Sequence, residues 1–190
     1  MNLSEQDKAQ LLKLARTSIE TWLIPSLGGK VFESGEKHSG ALSERCGAFV
    51  SLYVDGKLRG CIGTFSEEDP LWKNVRDMAL SAATSDERFT PIWADDLSAL
   101  SIEISVLSPR ERVDDHRSII PGKHGIYMIS GANRGTLLPQ VALQQNWTLE
   151  ELLGNCAKYK AGIGWDGWKS ADLYIYTATV FSSDSAVSSS

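Results

Sequence analysis

Leu11, Leu12, Ala15, Ile19, Trp22 and Leu23 recur at helical spacing, a stripe that predicts an amphipathic helix with this face turned to a core. Ser4 and Asp7 precede it with the spacing of a capping box, and Pro25, Gly28 and Gly29 end it. Residues 25–46 show little periodicity and read as a long loop or flap. From Gly47 to Phe65 the pattern changes to two β-rich runs around Asp55-Gly56, the pair favoured by a type I′ hairpin turn. Simple pairing across that turn sets Val54 opposite Lys57, Leu52 opposite Arg59 and Val50 opposite Cys61. Arg59, Cys61 and Gly63 then share one face, and Leu58 and Ile62 the other.

Asp69-Pro70 starts a second helix, with Leu71, Val75, Met78 and Ala82 on its buried side. Leu100, Ile102, Ile104 and Val106 alternate with Ser101, Glu103 and Ser105, the signature of a half-buried strand. A short strand follows the PGKHG turn, over Ile126 to Ile129. Gly131 to Gly135 forms a turn, and a helix begins near Pro139. Thr148 and Glu151 cap another helix, which buries Leu149, Leu152 and Leu153. Leu173 to Phe181 reads as one final strand, and the Ser-rich tail over 183–190 has almost nothing to bury and is expected to be disordered. Hairpins and separate helices, without βαβ alternation, predict an α+β fold on a largely antiparallel sheet.

The chain has 190 residues, about one to one and a half domains, enough to build a core without disulfides. It carries 19 Lys and Arg against 24 Asp and Glu, a formal charge of −5. That balance disfavours nucleic acid, which is bound by a basic stripe, and charge-held membrane attachment. No run approaches the roughly 20 apolar residues of a membrane helix, and MNLSEQDKAQ lacks the layout of a signal peptide. Cys46, Cys61 and Cys156 are an odd number without CxxC spacing, as expected of reduced thiols in the cytoplasm. Three scattered cysteines also fall short of four-thiolate iron–sulfur ligation, and no metal site or cofactor is expected. Phosphate loops, dinucleotide fingerprints, GxSxG and HExxH are absent.

The segments GAFVSLYVDGKLRGCIGTF, PLWKNVRDMALSAATSDERFTPI, SIEISVLSP, PGKHGIYM, GTLLPQVAL and KAGIGWDGW together resemble the AMMECR-type domain family. Its prokaryotic members are called AmmeMemoRadiSam system protein A. The resemblance runs from about residue 9 to 181, with Leu58-Arg59-Gly60-Cys61-Ile62-Gly63 as its signature. It implies two unequal lobes in one folded unit over residues 1–182, with the signature hairpin beside a groove between them. It also implies a Memo-like protein and a radical S-adenosylmethionine enzyme as partners, and it carries no reaction. One departure stands out: the family tends to place a cysteine two residues before the lysine of its KAG motif. Here Cys156 lies four before Lys160, so Lys158 and Tyr159 read as an insertion.

Two functional readings follow. In the first, the chain is a cytoplasmic accessory protein whose LRGCIG-lined groove binds a small ligand or a partner segment. Arg59, Gly60, Ile62, Gly63, Asp86, Arg88, Lys123 and Lys160 are its candidate ligand-binding residues. In the second, it is a cysteine-dependent transferase or hydrolase, with Cys61 as nucleophile, Arg59 favouring the thiolate and His124 moving protons. Each residue also has a plainer role. Cys61 suits a core position and Asp86 a turn with Arg88 as its ion-pair partner; Arg59 suits a structural ion pair, and the lysines a solvated face.

Overall fold

The computed structural model describes residues 2–24 and 40–183. Most of the expected 25–46 loop and all but Ser183 of the expected tail lie outside the described residues. The chain divides into two compact units, residues 1–106 with 179–190, and residues 107–178.

In unit 1, helix α1 (Glu5–Leu23) opens on the expected capping box: the Ser4 hydroxyl accepts from the Asp7 N–H and the Asp7 carboxylate from the Ser4 N–H. Leu11, Leu14, Ala15 and Ile19 are buried, whereas Trp22, expected in the core, is 55% exposed. Strands β1 (Ala48–Val54) and β2 (Lys57–Thr64) form the hairpin, with Asp55 and Gly56 both at positive φ as the turn requires. Helix α2 (Leu71–Thr84) follows, and Pro70 occupies its N-cap position without a side-chain cap. Strand β3 is Leu100–Leu107 and β8 is Ala178–Ser182. Sheet order is β2-β1-β3-β8, with β1 antiparallel to both β2 and β3.

One face of this sheet presents Val50, Leu52, Ile102 and Ile104 to Leu11, Ile19, Val75 and Ala79 of the two helices in a single core. Burying each Val, Leu or Ile side chain among these contributes about 1.5–3 kcal/mol. The buried Asn74 amide holds the loops in place, donating to the carbonyls of Cys46 at 2.9 Å and Ser66 at 3.1 Å.

The hairpin register departs from simple pairing. Val54 meets Lys57 as expected, but Leu52 pairs with Gly60 and Val50 with Ile62. Cys61 therefore lies opposite Ser51, and Arg59 is the extra residue of a β-bulge. A bulge shifts the pairing of everything beyond it by one residue, which moves Cys61 off the core-facing row.

In unit 2, strands β4 (Glu111–Val113), β5 (Gly125–Ser130), β6 (Asn133–Leu137) and β7 (Asp172–Tyr176) form a sheet in the order β4-β7-β5-β6. The single strand expected over 173–181 is thus two, broken at Thr177, with β7 in one sheet and β8 in the other. Helices α3 (Pro139–Gln145) and α4 (Leu149–Asn155) follow β6, and α4 opens on the Thr148–Glu151 capping box. The helix continues as a π-turn over Cys156–Ala161, which Gly162 ends at positive φ. This turn keeps Cys156, Ala157 and Ala161 buried and leaves Lys158, Tyr159 and Lys160 outside. Ile126, Met128, Leu153 and Cys156 belong to the core of this unit.

Candidate functional site

Among the described residues β2 is an edge strand, so its outward N–H and C=O groups have no strand there to pair with. At Cys61 two side chains from the turn after α2 take that role. Asp86 Oδ2 accepts from the Cys61 N–H at 2.8 Å, and Arg88 Nη2 donates to the Cys61 carbonyl at 2.9 Å. The two are locked to each other by Arg88 Nε to Asp86 Oδ1 at 2.8 Å and Nη2 to Oδ2 at 2.7 Å. Asp86 is buried, its side chain only 4% exposed, while that of Arg88 is 57% exposed. The Arg88 hydrogen bonds, helped by the Cys61 N–H, outweigh desolvation and hold the Asp86 carboxyl down at about 2. Asp86 and Arg88 thus form the expected ion pair, and the pair clamps one residue of the signature on both sides.

The Cys61 thiol is half-buried, and Ser51 Oγ donates to its Sγ at 3.3 Å. Arg88 is the guanidinium bound at this residue, through the Cys61 carbonyl, and Asp86 is the main cause of its raised proton affinity. The expectation that Arg59 serves the thiol fails, because Arg59 turns to the 90–96 segment. Its Nη2 donates to Thr90 Oγ1 at 3.1 Å and the Pro91 carbonyl at 3.4 Å, and lies 3.5 Å from Asp96 Oδ2.

The signature glycines are taken up by packing. A Cβ on Gly60 would run into the Ala82 carbonyl oxygen, and one on Gly63 into the Phe49 ring. The room that a ligand would need beside each is therefore filled by α2 and by β1. Ile62 packs against the helical core rather than toward a ligand.

On the sheet face away from the helices, Ser51 lies opposite Glu103, and Tyr53 opposite Ser101. With Cys61 across from Ser51, one polar row crosses three strands. The Tyr53 hydroxyl is pushed up by burial first and then by the charges of Glu103 and Cys61, against a hydrogen bond with Ser51. Ser51, Tyr53 and Glu103 were not anticipated as site residues. Their signal was present in the polar half of the β1 and β3 alternation, but only the true register places it beside Cys61.

Lys123 and His124 belong to unit 2, where they line a depression of about 280 Å³ with Ser108, Glu111, Ile175, Tyr176 and Thr177. His124 Nδ1 accepts from the Ile120 N–H at 3.1 Å, which leaves the proton of the neutral ring on Nε2. Burial, reinforced by Lys123, lowers its proton affinity. A ring held in this way is a poor general base. Lys160 projects from the exposed side of the π-turn. Burial pushes the Cys46 thiol up to about 11 and the Cys156 thiol to about 12, so both are inert packing groups. Among the described residues no three His, Cys, Asp or Glu side chains converge on a common point as a metal site would require, and no helix is long and apolar enough to cross a membrane.

These features define an α+β protein built on two antiparallel four-stranded sheets, with a clamped cysteine on the edge of one. The AMMECR1 family model matches residues 12–181, and the chain belongs to that family. A Thermotoga maritima protein is 43% identical over 156 residues, covering 80% of this chain and 86% of its own. A Methanosarcina acetivorans protein is 35% identical over 188 residues, covering 94% and 92%. The crystal structure of an uncharacterised Pyrococcus horikoshii protein superposes with a TM-score of 0.81 at 33% identity, over 90% of this chain and 89% of that one.

Proposed function

We propose that this protein is a cytoplasmic accessory protein of a Memo-like and radical S-adenosylmethionine system, which binds a small ligand or a partner segment at the clamped Cys61 strand. The observation that supports this most is the clamp. Burying a carboxylate costs solvation, which is recovered here by hydrogen bonds that fix the main chain at one surface position. Such support from a second layer of side chains is what a preorganised binding strand needs. In this reading Cys61 and Ser51 present the contact surface, Asp86 and Arg88 hold it, and Arg59 secures the strand to the segment behind it.

The test is co-elution of the purified chain with the Memo-like protein and the radical enzyme of its own organism. Wild type is expected to co-elute with at least one of them. Cys61→Tyr, which adds bulk on the half-exposed side, should weaken binding at least about tenfold, about 1.4 kcal/mol, with circular dichroism unchanged. Failure of wild type to bind either protein overturns the reading.

One observation favours a covalent role for Cys61 instead: a hydroxyl donates to its half-buried sulfur, and a guanidinium is bound to the carbonyl of the same residue. That reading requires Cys61→Ala to abolish cellular function, and full rescue by this variant excludes it.

A further inference from the structure

We propose that the outer face of the unit 1 sheet holds a binding site for a small primary ammonium group, seated against Glu103 and Tyr53. A depression of about 230 Å³ lies there, lined by Tyr53, Gly56, Ser101, Ile102, Glu103 and Ser182. Its lining comes from β1, the hairpin turn, β3 and β8. Alternation explains why it is polar: Leu52, Ile102 and Ile104 point their side chains to the helices, leaving Tyr53, Ser101 and Glu103 on the opposite face.

The Glu103 carboxylate is the feature that selects the ligand. It is half-buried, and among the described residues it forms neither a hydrogen bond nor an ion pair through its side chain. Burial raises its proton affinity, and among the described residues no cation offsets the loss of water. A carboxylate in this condition gains from an arriving positive charge and repels a phosphate or carboxylate. The Tyr53 ring gives the ammonium an aromatic neighbour, and the Tyr53 and Ser101 hydroxyls add hydrogen-bonding oxygen atoms. Gly56 leaves the rim open, since a Cβ there would meet nothing within 4 Å. The volume is below the range of drug-sized pockets, so it fits an ammonium head with a short alkyl chain rather than a nucleotide or a ring system. Cys61 is not among the lining residues, so the site stands whether or not Cys61 engages a partner.

The experiment titrates n-butylamine, with n-butanol as its uncharged control, into the isotope-labelled full chain at neutral pH and low salt, read by amide NMR shifts. Saturable shifts centred on Gly56, Ser101 and Glu103 are expected from n-butylamine alone, with a Kd of about 1 mM. Glu103→Gln should weaken binding at least tenfold without moving the thermal transition. Ser101→Lys, which places a tethered ammonium in the depression, should abolish it. Equal binding of amine and alcohol, equal binding by wild type and Glu103→Gln, or no saturable shift at these residues overturns the proposal.

Discussion

Both units bring a strand glycine against the main chain of a helical segment that has an alanine at the contact, and both place a cysteine close by. Yet the outcomes differ. In unit 1, Gly60 of β2 meets the Ala82 carbonyl of α2, and the neighbouring Cys61 stays half-buried on a polar row. In unit 2, Gly135 of β6 meets Ala161 in the π-turn, where an added Cβ would lie 2.6 Å from its nitrogen, and Cys156 on that turn is fully buried. The distinction lies in how each edge strand is finished. The π-turn packs against β6, whereas at Cys61 the β2 edge is finished by a carboxylate and a guanidinium that bond to its main chain. Packing seals the sulfur in one unit, and polar capping leaves it reachable in the other.

The largest test of this contrast is Gly60→Ala, because the obstructing atom is fixed helix backbone. A loss of about 3 kcal/mol is expected in urea unfolding, with Gly135→Ala costing less. An unchanged midpoint for Gly60→Ala would break the claim that close approach sets the position of β2.

Asp86→Ala removes the acceptor of the Cys61 N–H and should cost about 2 kcal/mol. A pH series checks the same contact. The folded carboxyl titrates at about 2, below its ordinary 3.8. Its contribution is therefore complete above about pH 5 and lost as pH falls through about 2. The shift corresponds to about 2 kcal/mol. Asp86→Asn should flatten that acid limb, and an unaltered limb would assign acid sensitivity elsewhere.

Serine replacements compare the two sulfurs directly. Cys156→Ser places a hydroxyl in an apolar core and should cost about 2 kcal/mol, while Cys61→Ser, already beside a hydroxyl, should cost less than about 0.5 kcal/mol. Thiol labelling of the native protein sharpens this further without perturbing it. Cys61 should react with iodoacetamide first, with Cys46 and Cys156 protected until unfolding, as mass spectrometry of timed samples would report.

Features written in a few neighbouring residues were legible in advance. The capping boxes at Ser4–Asp7 and Thr148–Glu151 and the Asp55-Gly56 turn depend only on local side chain and backbone, and they form as expected. The alternation of β3 was equally plain, because one face had to meet a core. The bulge at Arg59 left no such mark; it sits next to a tertiary contact, Gly60 seated against α2, that no local spacing encodes. Two expectations depended on it: Arg59 beside the thiol, and Cys61 opposite Val50. The clamp joins Cys61 to residues 25 and 27 positions away, and no local spacing encodes that. The break at Thr177 was hidden for a related reason. Both halves of the segment are good strand sequence, and only tertiary pairing divides them between sheets.

That division bears on how the first sheet closes. The Ser108 N–H donates to the Thr177 carbonyl at 2.9 Å, and the Thr177 N–H to Ser108 Oγ at 2.9 Å. The two ends of unit 2 are thus stitched together, although the whole of that unit separates them along the chain. β3 and β8 are neighbours in the other sheet, and for an unstructured intervening segment their meeting would carry the closure entropy of a long loop. Once residues 107–178 have collapsed, that loop is already closed. Early folding of the insert would then act as a chaperone in cis, delivering the last strand of the first sheet to its place.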